Sequence, residues 1–474
     1  MKSRRSKSGI DHIAGSEEEV MFMAAWNATE LAQRDRQHLV HSLYHPNDHQ
    51  QPLIFTRGEG IHLYDVSGKQ YIDGLSGLWN VVVGHGRAEL AEVAAAQMKT
   101  LAYCSSYVGS SNIPAIELAE RLAKMAYPNL NMSFFTSGGA ESTESAFKTA
   151  RYYWKIKGKP EKFKVIAREH AYHGVTLAAM SATGMTPYWP MFEPRVPGFV
   201  HCSTPYTYRF QGARSGETIG EAAARSLEEM ILKEGADTVA AFIAEPVQGA
   251  GGVIPAPDDY FPRIREICTR HQILFIADEV ITGFGRTGRR FALMRWGVEP
   301  DIMAFAKAIT SGYVPLGGIM ISDEIRDAIL SAPPEKRWMH AFTYSGHPTS
   351  CAVALRNLDI IDQEGLVERA DKMGARLIKG LQGLSDLPMV GDVRGLGLMA
   401  AVELVKDKPS KEAFDPKLSV GGKVHKATIK RGLFSRVKGD SFLLAPPLII
   451  KEEQVDQIVS IVGEAIQEVA KEVA

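Results

Sequence analysis

Cysteine is scarce in this chain. Four occur among 474 residues, Cys104, Cys202, Cys268 and Cys351, far apart and without C-x-x-C spacing. That argues against a disulfide framework or a zinc ribbon and fits a reducing cytosol. Net charge is nearly absent as well: 54 basic and 55 acidic side chains leave -1. No global field is therefore available to recruit nucleic acid or an anionic membrane. Long apolar runs are missing too. The longest candidate, 442–450, is broken by Pro446 and Pro447 and falls well short of the roughly 20 residues a spanning helix needs. The basic opening MKSRRSKSG leads into no apolar signal-peptide segment. No internal repeat or low-complexity tract is present. These absences predict a soluble, cytoplasmic protein with no nucleic-acid and no membrane partner.

What is present is ordinary in bulk and informative in order. An apolar fraction of 45% and a charged fraction of 23% are those of a globular protein, and the length suffices for two or three domains. Ser16 and Glu19 have capping-box spacing before a helix-compatible segment, 17–41, read as an N-terminal arm. GIHLYDVSGKQYIDG, 60–74, reads as a hairpin with Ser67–Gly68 in its turn. In GLSGLWNVVVGHGR, 74–87, glycines bracket Leu78 and Trp79; the indole is either core filler or the wall of an apolar pocket. Pro114 opens a helix that places Ile116, Ala119, Leu122 and Ala123 on one face. Short apolar runs at 133–135, 164–167, 240–244, 274–277, 302–305 and 318–321 then alternate with helical stretches such as 141–155 and 222–233. Alternation on this scale predicts a mainly parallel sheet covered on both faces. Beyond about 345, helices lead into strand-like segments at 393–404 and 433–450, a smaller sheet, and a last helix from Glu452.

Ligands of open parallel sheets bind beyond the carboxyl ends of the strands. Five predicted strands place polar or glycine-rich groups at that edge. They deliver TSGGAES (136–142), Tyr172 and His173, Glu245, Asp278, and Lys307. The first of these opens a helix whose free N–H groups suit a phosphate, with Gly138 and Gly139 permitting close approach. Asp278 ends a buried strand, whereas the side chain of Glu279 points to the opposite face. Lys307 is the only lysine between Lys233 and Lys336, and it follows the apolar run IMAFA. Burial makes such an amine a nucleophile towards an aldehyde. A carboxylate to keep a ring nitrogen protonated and an amine to form a Schiff base are what pyridoxal phosphate needs most. Tyr172 is either a stacking face or a core tyrosine. Arg436, before the turn KGD, is either a surface residue or a bidentate clamp for a carboxylate. GFGRTG, 283–288, has the literal G-x-G-x-x-G form of a dinucleotide fingerprint. Five residues separate it from its strand, and no clear helix with a distal acid follows, so a dinucleotide-dependent oxidoreductase is set aside.

With these residues assembled, the chain resembles the class III aminotransferases, pyridoxal-phosphate enzymes of fold type I, and within them the omega-amino acid:pyruvate or amine:pyruvate transaminases. IADEVITGFGRTG and PDIMAFAKAITSGYVPLGG carry the resemblance, with GLWNVVVGHGR, AYHG, AEPVQGAGGV, FTYSGHP and SRVKGDSFLLAPPL adding to it. It implies an α/β fold with a large domain (81–345) built on a mainly parallel sheet. A smaller α/β domain combines 43–80 with 346–474, after an arm over 1–42. It implies pyridoxal 5'-phosphate as cofactor, Lys307 as its covalent lysine and Asp278 as the partner of its ring nitrogen. Tyr172 and Val280 would face the ring. Gly139 and Ala140 would hold the phosphate, joined by Thr343 of the partner subunit. Glu245 matches an acid near the pocket.

Leu78, Trp79, Tyr107 and Val108 would line the substrate side, partly across a dimer interface, and Arg436 would bind a substrate carboxylate and swing away for amines lacking one. The resemblance implies a homodimer with shared sites, a tetramer being the alternative. It also implies ping-pong transfer from an omega-amino acid or amine to pyruvate through the pyridoxamine form. An aminomutase or a decarboxylase on the same fold is the competing reading. Two departures stand out. Ornithine- and GABA-type relatives carry an arginine where this chain has Leu444, which points from 2-oxoglutarate towards pyruvate. Pro46 stands near a position that is aromatic in several amine transaminases.

Overall fold

The computed structural model describes residues 27–473. Residues 59–61 and 72 onwards pack as one compact unit; those up to Gly58, with His62–Tyr71, form another. In the smaller unit a helix runs over Ala28–His38, and the side-chain oxygen of Asn27 accepts the N–H groups of Thr29 and Glu30 at 3.0 and 3.2 Å. This satisfies two of the helix's orphan donors. The Ser16–Glu19 capping box lies outside the described residues. The turn of the predicted hairpin is built on Asp65, whose Oδ1 accepts from the N–H groups of Ser67 (2.9 Å) and Lys69 (3.0 Å). Gly68 takes φ +83°, a conformation glycine adopts without steric cost.

The larger unit is organised on a seven-stranded sheet: β1 (Leu130–Thr136), β2 (Lys164–Arg168), β3 (Phe199–Cys202), β4 (Val239–Ala244), β5 (Leu274–Asp278), β6 (Ile302–Phe305) and β7 (Gly317–Ser322). Their order across the sheet is β1-β7-β6-β5-β4-β2-β3. β4, β5 and β6 run parallel at the centre, with Leu274 opposite Ala241 and Ile276 opposite Ile302. Their sequences VAAFIA, LFIAD and IMAF are buried at every position. Continuous rather than alternating apolarity marks strands covered on both faces.

β7 alone runs antiparallel, pairing with β6 and β1, so its first residue, Gly317, sits at the edge where the other six strands end. β3 was not anticipated from the sequence. It is a four-residue edge strand with two partly exposed positions, following PRVPG, and an edge strand needs no continuous apolar run.

The helix after β1, α1 (Gly139–Ile156), buries Phe147, Ala150 and Trp154. The helix predicted from Pro114 runs over Ile113–Met125, but its buried residues are Leu118 and Leu122, while Ile116 is 57% exposed. Its buried face is thus turned from the expected one.

A second sheet of β8 (Val390–Gly395), β9 (Ala400–Leu404), β10 (Arg436–Lys438) and β11 (Ser441–Leu444) is antiparallel throughout, in the order β8-β9-β11-β10. The final helix, Glu452–Val473, buries Val455, Ile458, Val462 and Ile466 at helical spacing.

GFGRTG is a structural loop. Burial lowers the Arg286 pKa to about 9. Its Nη1 donates to the Pro446 carbonyl at 2.5 Å and its Nη2 to Ser76 Oγ at 3.0 Å. Glu279 accepts the N–H groups of Ala292 (3.0 Å) and Leu293 (2.9 Å) and the hydroxyls of Tyr127 and Thr282, a set of partners separate from those of Asp278. Only a short 3-10 turn, Ala292–Trp296, follows, so no helix N-terminus stands behind these glycines to receive a pyrophosphate. Among the described residues no helix is long and apolar enough to cross a membrane.

Candidate active site

At the carboxyl edge of the large sheet lies a cavity of about 390 Å³. It is lined by the loop after β1 (Ser137, Gly138, Gly139, Ala140), Tyr172 and His173, Glu245, Asp278 and Val280, and Lys307. The loops from Asn80 and from 310–316 complete it. All five strand ends singled out in the sequence therefore meet in one place.

The loop after β1 is pinned from behind. Ser142 Oγ lies 2.9 Å from the Gly138 carbonyl, 3.1 Å from the Phe305 carbonyl and 2.9 Å from Thr136 Oγ1. This ties the start of α1 to the end of β6, one residue short of the turn that carries Lys307. Among the described residues no side chain caps α1 at Gly138, so its first N–H groups remain for a ligand. Close approach is built in. A Cβ on Gly139 would come within 2.9 Å of Val280 Cγ1, and one on Gly174, at φ +121°, within 2.7 Å of Ala140 Cβ.

Asp278 is 3% exposed. Its Oδ2 lies 2.7 Å from His173 Nδ1, and its Oδ1 accepts the Val280 N–H at 3.1 Å. The sequence placed His173 at this edge without a role; its role follows from a partner 105 positions away. Among the described residues the Nε2 of His173 has no hydrogen-bond partner. The Thr143 hydroxyl donates to the His173 carbonyl at 2.7 Å, so α1 also holds this loop.

Lys307 opens a one-turn 3-10 helix at φ +51°, a backbone strain of the kind that gathers at functional sites. Burial pushes its pKa below 10.5, opposed by the negative charges of Asp278 and Glu245. Glu245 is 2% exposed, and burial raises its pKa to about 7 against the neighbouring His173. Its two oxygens accept the N–H groups of Tyr172 (2.9 Å) and Gly249 (3.0 Å), so it seats the Tyr172 loop. Burial raises the Tyr172 phenol pKa, with Tyr188 reinforcing the shift and Arg436 opposing it.

The remaining candidates lie outside the cavity lining. The side chain of Arg436, on β10, makes no hydrogen bond or ion pair among the described residues, yet its charge reaches Tyr172. Trp79 is 2% exposed and belongs to one buried apolar cluster with Leu75, Val247, Val253, Ile281 and Leu443. Leu78 and Tyr107 are about half exposed and Val108 fully so. Thr343 is also exposed, its carbonyl accepting from the Tyr103 hydroxyl at 2.8 Å.

An uncapped helix start asks for an anion, a buried amine of lowered pKa for a carbonyl, and a buried carboxylate for a basic ring nitrogen. Pyridoxal 5'-phosphate carries all three on one small frame, and the residues present fit it. The arrangement defines a pyridoxal-phosphate enzyme of fold type I. Comparison with known proteins takes this further: residues 43–466 match the aminotransferase class-III family, and the chain belongs to it.

The chain is 42% identical to a putrescine–pyruvate aminotransferase of Pseudomonas aeruginosa, over 88% of this chain and 91% of that one. It superposes on a thermostable (S)-enantioselective omega-transaminase from Thermomicrobium roseum with a TM-score of 0.91 and 49% identity, covering 94% of this chain and 99% of that one. An omega transaminase of Pseudomonas jessenii, solved in complex with PMP, superposes with a TM-score of 0.89 at 40% identity, over 93% and 98% of the two chains. The protein is thus a pyridoxal-phosphate-dependent aminotransferase.

Proposed function

We propose that the enzyme moves an amino group from an omega-amino acid or amine to pyruvate in two half-reactions. The observation that carries this reading is the buried Lys307 amine at one cavity with the Asp278–His173 pair. Pyridoxal phosphate, when bound, supplies the carbonyl that takes up the amino group and a ring that stores the charge left when the donor's C–H bond breaks. Lys307 Nζ moves the proton. Its lowered pKa keeps a fraction of the amine free to take the proton from the donor's amine-bearing carbon. Asp278, oriented by His173 and the Val280 N–H, holds the ring nitrogen protonated. The N–H groups of Gly139 and Ala140 bind the phosphate, with Thr343 of the partner subunit. Tyr172 and Val280, both in the cavity lining, would face the ring.

Arg436 clamps the substrate carboxylate; with no ion pair of its own among the described residues, it is free to withdraw when the substrate is a simple amine. Leu444, fully buried in β11, stands where an arginine would favour a second carboxylate, and this supports pyruvate over 2-oxoglutarate. The substrate end is completed across a homodimer interface. Tyr103, Tyr107, Val108, Ile113, Ile116 and Tyr344 leave 43% or more of their surface exposed in the single chain, the kind of apolar surface a partner covers. A cytoplasmic location accords with four unpaired cysteines.

A donor panel tested with pyruvate and with 2-oxoglutarate checks the reading. Alanine formed from pyruvate and an omega-amine supports it. Carbon dioxide release, intramolecular amine migration or preference for 2-oxoglutarate contradicts it.

A further inference from the structure

Behind Glu245 the chain makes a tight hairpin, 247–255, and its glycines are packed from three sides. A Cβ on Gly249 would meet Ile281 Cδ1 at 2.6 Å, one on Gly251 the His170 carbonyl oxygen at 2.3 Å, and one on Gly252 Arg394 Nη2 at 3.2 Å. The hairpin thus sits between the loop that carries Tyr172 and the guanidinium of Arg394 on β8. Arg394 is 8% exposed and spends its donors in two directions. Towards the hairpin, Nε lies 3.0 Å from the carbonyls of Gly252 and Val253, and Nη2 donates to Gly252 at 2.7 Å. Towards its own sheet, Nη1 lies 2.7 Å from Glu403 Oε2 and 2.8 Å from Asp392 Oδ2. Glu403 is held in turn by the Tyr206 hydroxyl and by Arg209 Nε at 2.7 Å. Two arginines and two carboxylates therefore balance inside the fold.

This cluster meets the site twice. Through the hairpin, the Gly249 N–H binds Glu245, which binds the Tyr172 N–H. Through the sheet, Lys438 on β10 feels the charges of Glu403, Arg394 and Arg209. Side chains two apart on a strand share a face, so Arg436 rises from the face of β10 that carries Lys438. Its charge reaches Tyr172.

We propose that Arg394 is a positioning residue that fixes the distance between Arg436 and the Tyr172 wall of the cavity. It does so by bonding the 247–255 hairpin and the Arg436 sheet to one rigid guanidinium. The inference rests on the reading of Arg436 as the carboxylate clamp and deepens it. A planar fork with five donors serves two carbonyls and two carboxylates at once, which a lysine ammonium cannot do.

The test uses full-length holoenzyme with Arg394→Lys and, in parallel, Arg436→Met. Three quantities are read: amide hydrogen exchange over 247–255, KM and kcat for pyruvate, and the half-reaction rate with an amine that lacks a carboxylate. For Arg394→Lys the expected result is faster exchange at Gly249–Val253 and a KM for pyruvate raised roughly tenfold, with the carboxylate-free amine changed less than about twofold. Unchanged exchange, or equal losses on both substrates, overturns the inference. Selective loss of the carboxylate substrate in Arg436→Met but not in Arg394→Lys overturns the positioning role alone. No selective loss in Arg436→Met overturns the clamp and the positioning role together. If Arg394→Lys does not fold, Glu403→Gln carries the test, because it keeps Arg394 and removes the nearer of the two carboxylate charges on its Nη1; the same selective rise in KM is expected, and its absence overturns the inference.

Discussion

Asp278 and His173 form a buried pair, Oδ2 to Nδ1 at 2.7 Å, with side chains 4% and 0% exposed. Among the described residues Asp278 keeps one further donor, the Val280 N–H. Removing the imidazole by His173→Ala leaves a buried carboxylate short of a hydrogen bond, at a cost of about 2 kcal/mol. The expected outcome is a loss of roughly thirtyfold in kcat/KM with cofactor still bound, checked by steady-state kinetics on holoenzyme of measured cofactor content. An unchanged kcat/KM would show that His173 does not support Asp278.

Glu245 gives a pH signature. Its folded pKa, about 7, exceeds its ordinary value of 4.5, because burial favours the neutral acid. Between those values the folded state binds more protons than the unfolded state, so stability is fully present below 4.5 and is lost as pH rises through about 7. The full effect is on the order of 3 kcal/mol. Chemical denaturation of the cofactor-free enzyme across this window should show that slope, and Glu245→Gln should flatten it. The slope is the readout, since the variant also disturbs the bond to the Gly249 N–H.

Gly174 admits no side chain. At φ +121° an added methyl group would be strained and would press on Ala140 at the start of α1. Strain of this kind costs about 1–3 kcal/mol. Gly174→Ala should weaken cofactor binding roughly tenfold or more, measured as a dissociation constant by dialysis and absorbance, while the Gly158→Ala control, also at positive φ (+76°) but with open space around its Cβ, leaves it unchanged.

Arg436→Ala should separate substrates by charge. Loss of a charge-assisted clamp lowers kcat/KM on carboxylate-bearing substrates by roughly 100-fold and on simple amines by less than about threefold. Equal losses in a kinetic panel would contradict the clamp.

How much of this was readable in advance follows from where the information lies. β4, β5 and β6 announce themselves through apolar runs, and the residues at or just beyond their ends, Glu245, Asp278 and Lys307, inherit a position from the sheet rule alone. β3 at the sheet edge lacks such a run. His173 was visible at the strand end, but only the fold brings it to Asp278. Trp79 shows the limit of residue chemistry: an indole between glycines suits a pocket or a core equally, and its burial with Leu75, Val247 and Ile281 is visible only in the fold. Arg394 carries no local signal, because its partners at 252–253 and Glu403 come from different segments of the chain.

The central claim is that amino transfer runs on the Lys307 amine. Borohydride reduction of the holoenzyme followed by peptide mapping tests it most directly. A cofactor adduct on the peptide containing Lys307, absent in Lys307→Ala, is the predicted result. An adduct on another lysine, or none, would contradict the account.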